Sequence, residues 1–122
     1  MADEPKRFVI QKQVRQRDVH WDFMIEQDGS LHTWRINTAP DKLSQQPVHA
    51  ERIQDHQLRF LTYEGPVNNG KATVQIADAG TYRIVENDKG NITLDMDGRI
   101  LQGKFSLEII DNKNWQILPV AP

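Results

Sequence analysis

The stretch His20-Trp21-Asp22-Phe23-Met24-Ile25-Glu26-Gln27-Asp28-Gly29-Ser30-Leu31-His32-Thr33-Trp34-Arg35-Ile36 decides the fold. Its first half alternates with a period of two: Trp21, Phe23 and Ile25 share one face, and His20, Asp22, Met24 and Glu26 share the other. Asp28-Gly29 then supplies a two-residue hairpin turn, because both residue types tolerate the positive φ that tight hairpins demand. Residues 31–36 form the return strand, so this segment reads as half-buried antiparallel sheet.

The same signature recurs outward in both directions. Phe8-Val9-Ile10 opens a strand, and further strands are expected over residues 48–53, 57–62, 72–76, 81–85, 99–109 and 115–118. Ala39-Pro40, Gly65, Asn68-Asn69-Gly70, Gly80, Asp88-Lys89-Gly90-Asn91 and Asp97-Gly98 punctuate them, and residues 41–46 make a loop or one helical turn. No sustained helical period occurs. The expected fold is all-β: a small closed or nearly closed antiparallel β-barrel of about eight strands with few short helical turns, since closure removes exposed edges. Residues 1–122 are expected to form one domain, with flexible ends at 1–6 and 119–122.

Composition removes several classes of function. The chain holds no cysteine, which excludes disulfides, thiolate metal sites and a cysteine nucleophile. No apolar run approaches the roughly 20 residues of a membrane span, and residues 1–8 lack the apolar stretch of a secretory signal, so a cytoplasmic protein with no membrane partner is expected. A net charge of −2 does not suit bulk coating of nucleic acid. Lys6, Arg7, Lys12, Arg15 and Arg17 nevertheless form an acid-free basic cluster that suits phosphates, or equally a solvated edge. Neither a Gly-rich phosphate loop nor a G-x-S-x-G elbow is present.

Chemistry-bearing residues are few. His20 and Asp22, two apart on one strand, bring an imidazole and a carboxylate to one face, a donor pair that suits manganese, zinc or iron. On its own this pattern equally describes any wet strand face. His56, after Asp55, is a candidate to donate a proton or hydrogen bond to an oxyanion, or else a structural histidine. His32 and His49 receive no role.

The ordered set Phe8-Val9-Ile10-Gln11-Lys12, His20-Trp21-Asp22-Phe23, Asp28-Gly29, Trp34, Asp55-His56, Tyr63-Glu64-Gly65, Gly80-Thr81-Tyr82 and Gly98 to Leu107 resembles the 3′-phosphoesterase domain of bacterial DNA ligase D. There the opening reads F-V-[VI]-Q-K-H, then L-H-Y-D-F-R-L-E-x-D-G-x-L-x-S-W. The resemblance implies a barrel with a polar concave surface that binds manganese and trims 3′ ends of DNA or RNA–DNA before ligation, in concert with DNA ligase machinery and as a monomer. It places His20, Asp22 and Gln13 at metal-ligand positions, His56 at the scissile phosphate, and Gln11 in the catalytic site. Lys12, Arg15 and Arg17 would meet phosphate or nucleic acid.

The departures from the family lie in the same site. Gln13 stands where the family has its first metal-binding histidine, Met24 where it has an arginine, and Phe60 where it has a tyrosine. An amide oxygen is the poorer ligand, a thioether cannot clamp phosphate, and each lost oxyanion donor costs about 100-fold to 1000-fold in rate. The expected activity is therefore weakened or lost, and the alternative is an inactive module that binds nucleic-acid ends or a repair protein. Arg15 and Arg17 are the cations near enough in sequence to replace the missing guanidinium.

Overall fold

The computed structural model describes residues 4–121. Nine strands run in chain order: β1 (Lys6–Arg15), β2 (Asp18–Gln27), β3 (Ser30–Ile36), β4 (Val48–His56), β5 (Gly65–Val67), β6 (Ala72–Asp88), β7 (Asn91–Gly98), β8 (Gln102–Asp111) and β9 (Asn114–Pro119). They neighbour one another in the order β1-β2-β3-β4-β9-β8-β7-β6-β5, and β6 also pairs with β1. Eight strands thus close into an antiparallel barrel, and β5 lies outside it on β6. Asp28 (φ 53°) and Gly29 (φ 82°) both adopt the positive φ expected of the hairpin turn between β2 and β3.

Alternate residues fill the interior. Phe8, Ile10, Phe23, Ile25, Trp34, Ile36, Leu94, Phe105, Leu107, Trp115 and Ile117 belong to one buried cluster. Aromatic rings run through it from strand to strand: Phe8 to Phe23 at 6.4 Å, Phe23 to Trp34 at 6.4 Å and Trp34 to Trp115 at 5.4 Å between centroids. Such pairs contribute about 0.5–1.5 kcal/mol each beyond their buried area.

Several sequence expectations need correction. Residues 57–62 form a 3₁₀ turn at Leu58–Leu61 rather than a strand. Leu58, Phe60 and Leu61 cover a second apolar cluster of Val9, Met24 and Leu31 on the opposite face of β1 to β3, and that burial outweighs their alternating pattern. The two strands expected across Gly80 are one continuous β6, because Gly80 marks a close approach: a Cβ there would lie 2.1 Å from the Asp97 carbonyl oxygen. Arg99 to Leu101 are a loop and β8 starts at Gln102. Lys6 and Pro119 lie within strands, and the Val120 N–H donates to Lys104 O at 2.9 Å. Of the other terminal positions, 4, 5 and 121 lie outside any strand, and 1–3 and 122 lie outside the described residues.

Closure between β1 and β6 contains one irregularity. Ile10 pairs with Asp78 but Gln11 pairs with Ile76, so Ala77 is an extra residue on β6. The bulge turns Asp78 inward, where it is fully buried. Its Oδ1 accepts the N–H groups of Ala79 (2.9 Å), Arg99 (2.9 Å) and Ile100 (3.1 Å), and its Oδ2 accepts that of Leu101 (2.9 Å). One carboxylate therefore takes three N–H groups of the β7–β8 loop, which is also closed by Gly98 N–H donating to Leu101 O at 2.8 Å.

Removing that carboxylate leaves the buried Leu101 N–H and three part-buried N–H groups without their acceptor, at about 1–3 kcal/mol for a fully buried group and less for the others. Asp78→Ala is expected to lower unfolding free energy by at least about 3 kcal/mol in urea titration, and a loss below about 1 kcal/mol would contradict this account. Gly98→Ala would place a Cβ 2.6 Å from Phe8 Cζ and 2.7 Å from Asp78 Oδ2. It should cost about 1–3 kcal/mol through overpacking, read as a lowered Tm.

Candidate functional site

Register aligns the polar residues of the outer sheet face into rows. Ile76 of β6, Gln11 of β1, Asp22 of β2, Arg35 of β3 and Glu51 of β4 follow one another across the ladders. Val74, Gln13 and His20 form the row on one side, and Val9, Met24, Thr33 and Ile53 the row on the other. Over these rows lies a groove of about 800 Å³. Gln11, Gln13, Asp22, Arg35, His56 and Phe60 line it, with Arg52 and Lys113 contributing further positive charge.

The predicted residues converge only in part. Gln13 lines the groove, and His20 stands behind it with Nε2 2.5 Å from the Gln13 amide oxygen. With Nε2 protonated, that nitrogen donates to Gln13. Gln11 is buried, and its amide donates to the carbonyls of Phe60 (2.9 Å) and Tyr63 (3.0 Å), holding the 58–61 turn and the segment just after it against β1. His56 ends β4; its Nδ1 lies 3.0 Å from Thr33 Oγ1 and 3.1 Å from the Gln54 carbonyl, which leaves Nε2 for a ligand. The Thr33 hydroxyl donates to Leu31 O at 2.9 Å and is thereby set to accept from His56.

The basic cluster does not gather at the groove. Lys12 alternates away from Gln11 and Gln13 and pairs with Trp21, while Arg15 and Arg17 are exposed at the β1–β2 turn. Arg7 is bound to Glu26 at 3.3 Å, and Lys6 donates to Gln27 at 3.0 Å. None of these residues lines the groove. Met24 is wholly buried beneath the 58–61 turn, so its thioether is a packing element. Phe60 stands edge-on to His56 at 5.8 Å and to Tyr63 at 5.7 Å, with the Arg59 guanidinium 4.4 Å from its centroid.

Two cations on neighbouring strands had not been singled out. Arg35 Nε donates to Asp22 Oδ1 at 3.2 Å. The Asp22 side chain is only 6% exposed and that of Arg35 37%, so the pair spans the groove floor and its open side. Arg52 lies over Trp34 (5.0 Å) and donates to the carbonyls of Thr33 (3.3 Å) and Ile53 (2.6 Å) and to Asp55 Oδ1 (2.9 Å). Desolvation works to raise the Asp55 pKa, but hydrogen bonds from Arg52 and Ser30 and the nearby His32 prevail and hold it below its usual value. Register carried the signal for Arg35: the two-residue turn pairs Gln27 with Ser30, and counting back along both strands brings Asp22 opposite Arg35.

A divalent ion does not fit these donors as arranged. Asp22 already receives Arg35, His20 Nε2 faces the Gln13 oxygen, and among the described residues no three His, Cys, Asp or Glu side chains come together to hold a metal. Catalytic zinc sites take three such side chains, and manganese favours carboxylate oxygens, of which Asp22 Oδ1 is engaged by Arg35.

Burial lowers the His20 pKa below its ordinary 6.5; Arg35 adds to that shift, outweighing the opposing pull of Asp22 and Asp18. The folded protein therefore binds fewer protons than the unfolded chain just below pH 6.5. This contribution to stability is present above pH 6.5 and is lost as pH falls toward the folded value. The His20 ring should titrate below 6.5 by NMR in metal-free protein, and Arg35→Ala should raise that midpoint. A midpoint at or above 6.5 in the unsubstituted chain would refute this balance of charges.

Comparison with known proteins places this arrangement in a family. Residues 11–108 match the family described as the DNA Ligase D 3′-phosphoesterase domain. The multifunctional non-homologous end joining protein LigD of Mycobacterium bovis is 30% identical over 116 residues, covering 88% of this chain and 15% of that protein. The corresponding DNA repair protein of Mycobacterium tuberculosis gives the same 30% over 116 residues. That of Pseudomonas aeruginosa is 28% identical over 109 residues, covering 83% of this chain and 13% of its own length. The chain thus spans about 15% of the curated relatives it matches. With its motifs in order along an eight-stranded closed barrel, the chain belongs to the DNA ligase D 3′-phosphoesterase domain family.

Proposed function

We propose that the chain serves DNA end joining by receiving the phosphate of a DNA or RNA–DNA 3′ end in its groove, with manganese-dependent phosphoesterase activity weakened or lost. The observation that carries this reading is the pairing of an oriented His56, whose Nε2 is left for a ligand, with Arg35 and Lys113 around one open groove, where Arg52 is held by Asp55. Charge-assisted hydrogen bonds from guanidinium, and from the His56 ring when both its nitrogens carry protons, are the strong contacts a terminal phosphate can receive.

The geometry supports the following roles. His56 contacts the phosphate. Gln11 acts indirectly, as a positioning residue that fixes Phe60 and with it the edge of His56. His20, Asp22 and Gln13 are the set to which the family's metal would come, and its loss of fit accounts for reduced turnover. Lys12, Arg15 and Arg17, away from the groove, would meet backbone phosphates upstream of the terminus. A healed 3′ end is what a ligase consumes, so a DNA ligase is the natural partner, and the relatives carry end joining in their names.

A primer-template ending in a 3′-phosphate or a 3′-ribonucleotide tests the proposal. Binding should weaken steeply with salt, exceed binding to a 3′-hydroxyl end, and fall about tenfold or more in His56→Ala. Product formation with manganese should be slow or absent. Indifference to the terminal phosphate would defeat the reading of end recognition; rapid manganese-dependent trimming lost in His20→Ala would show an intact enzyme instead.

A further inference from the structure

We propose that the Arg35 guanidinium occupies the place a divalent cation would take beside Asp22, so that the groove holds a phosphate without a metal ion. The inference rests on the reading of the groove as a phosphate site and goes beyond it by naming the cation.

Three observations converge. Asp22 is almost wholly buried, and a buried carboxylate requires a counter-charge. Register supplies one: Arg35 is its direct cross-strand partner, and Nε reaches Oδ1 at 3.2 Å. Because Nε is the atom engaged, both terminal nitrogens of Arg35 remain available, on a side chain that is 37% exposed and lines the groove. A guanidinium bound through Nε to a carboxylate and open at its terminal nitrogens presents the fork that clamps phosphate.

The remaining donors are arranged consistently. His20 and Gln13 satisfy each other, which removes the need for an ion between them. Glu51, the next residue across the ladder from Arg35, is exposed and does not complete a three-donor group with Asp22 and His20 among the described residues. Arg52 cannot take the same part, since its guanidinium is committed to two backbone carbonyls and Asp55. Removing Arg35 would leave Asp22 buried without its cation, the condition under which it would recruit one from solution.

The test uses manganese alone and, separately, a short 3′-phosphorylated oligonucleotide in the presence of a chelator. Millimolar manganese should leave the His20 and Asp22 NMR signals of the unsubstituted protein sharp, whereas in Arg35→Ala the same signals should broaden saturably. Arg35→Lys, which keeps the charge, should exclude the ion as the native residue does. The oligonucleotide should bind without metal, and about tenfold or more weakly to Arg35→Ala. Saturable broadening in the unsubstituted protein overturns the proposal without recourse to any variant. So does an Arg35→Ala protein that gains no manganese site, or one that keeps full oligonucleotide affinity. If the oligonucleotide fails to bind with or without metal, the phosphate reading falls, and the manganese arm alone decides whether Arg35 holds the cation position.

Discussion

Barrel closure runs through the ladder between β1 and β6, and that ladder carries one residue more on β6 than on β1. Side chains alternate between faces, so the extra Ala77 reverses which face the rest of β6 presents. Before it, Val74 and Ile76 lie on the outer face beside Gln13 and Gln11; after it, Asp78 and Tyr82 point into the barrel. Without the reversal, either the groove or the core would lose its wall on this side. Asp78 stabilises the arrangement by taking four backbone N–H groups, and the Tyr82 hydroxyl donates to the Glu26 carbonyl at 2.5 Å to tie β6 to β2.

The groove is thus outside the apolar core, on the opposite face of the strands that form it. Its walls come from elements remote in sequence, namely the end of β4 with His56, the 58–61 turn and the segment after β5. Gln11 joins the strand face to the turn, and Met24, Val9 and Leu31 give the turn an apolar seat. Substitutions that from the family pattern look only like losses therefore have structural consequences. Met24 packs under Leu61 where a guanidinium could not be buried unpaired. Arg35, on β3, lines the groove, and Arg15 and Arg17 of the β1–β2 hairpin do not.

Much of this was legible in the residues. Strand alternation and the Asp28-Gly29 turn marked β2 and β3 and their register, and the aromatic positions Phe8, Phe23, Trp34 and Trp115 all lie in the core. His20, Asp22 and Gln13 do share a face, and His56 does reach the groove. The same register would have paired Asp22 with Arg35, but a search for metal ligands and catalytic acids passes over a cation on the neighbouring strand.

The sequence by itself determined the all-β class, the inward and outward sets of β2, the tight turns and the family, because each depends on local period, turn chemistry or ordered motifs. Only the tertiary structure decided that residues 58–61 leave the sheet, that β6 runs unbroken past Gly80, that Asp78 is buried, and that Asp22 is already paired. These outcomes depend on which strands meet and what covers a face. Alternation within one strand is blind to both, since a bulge in a distant ladder or an apolar patch awaiting a cover changes the result without changing a residue nearby.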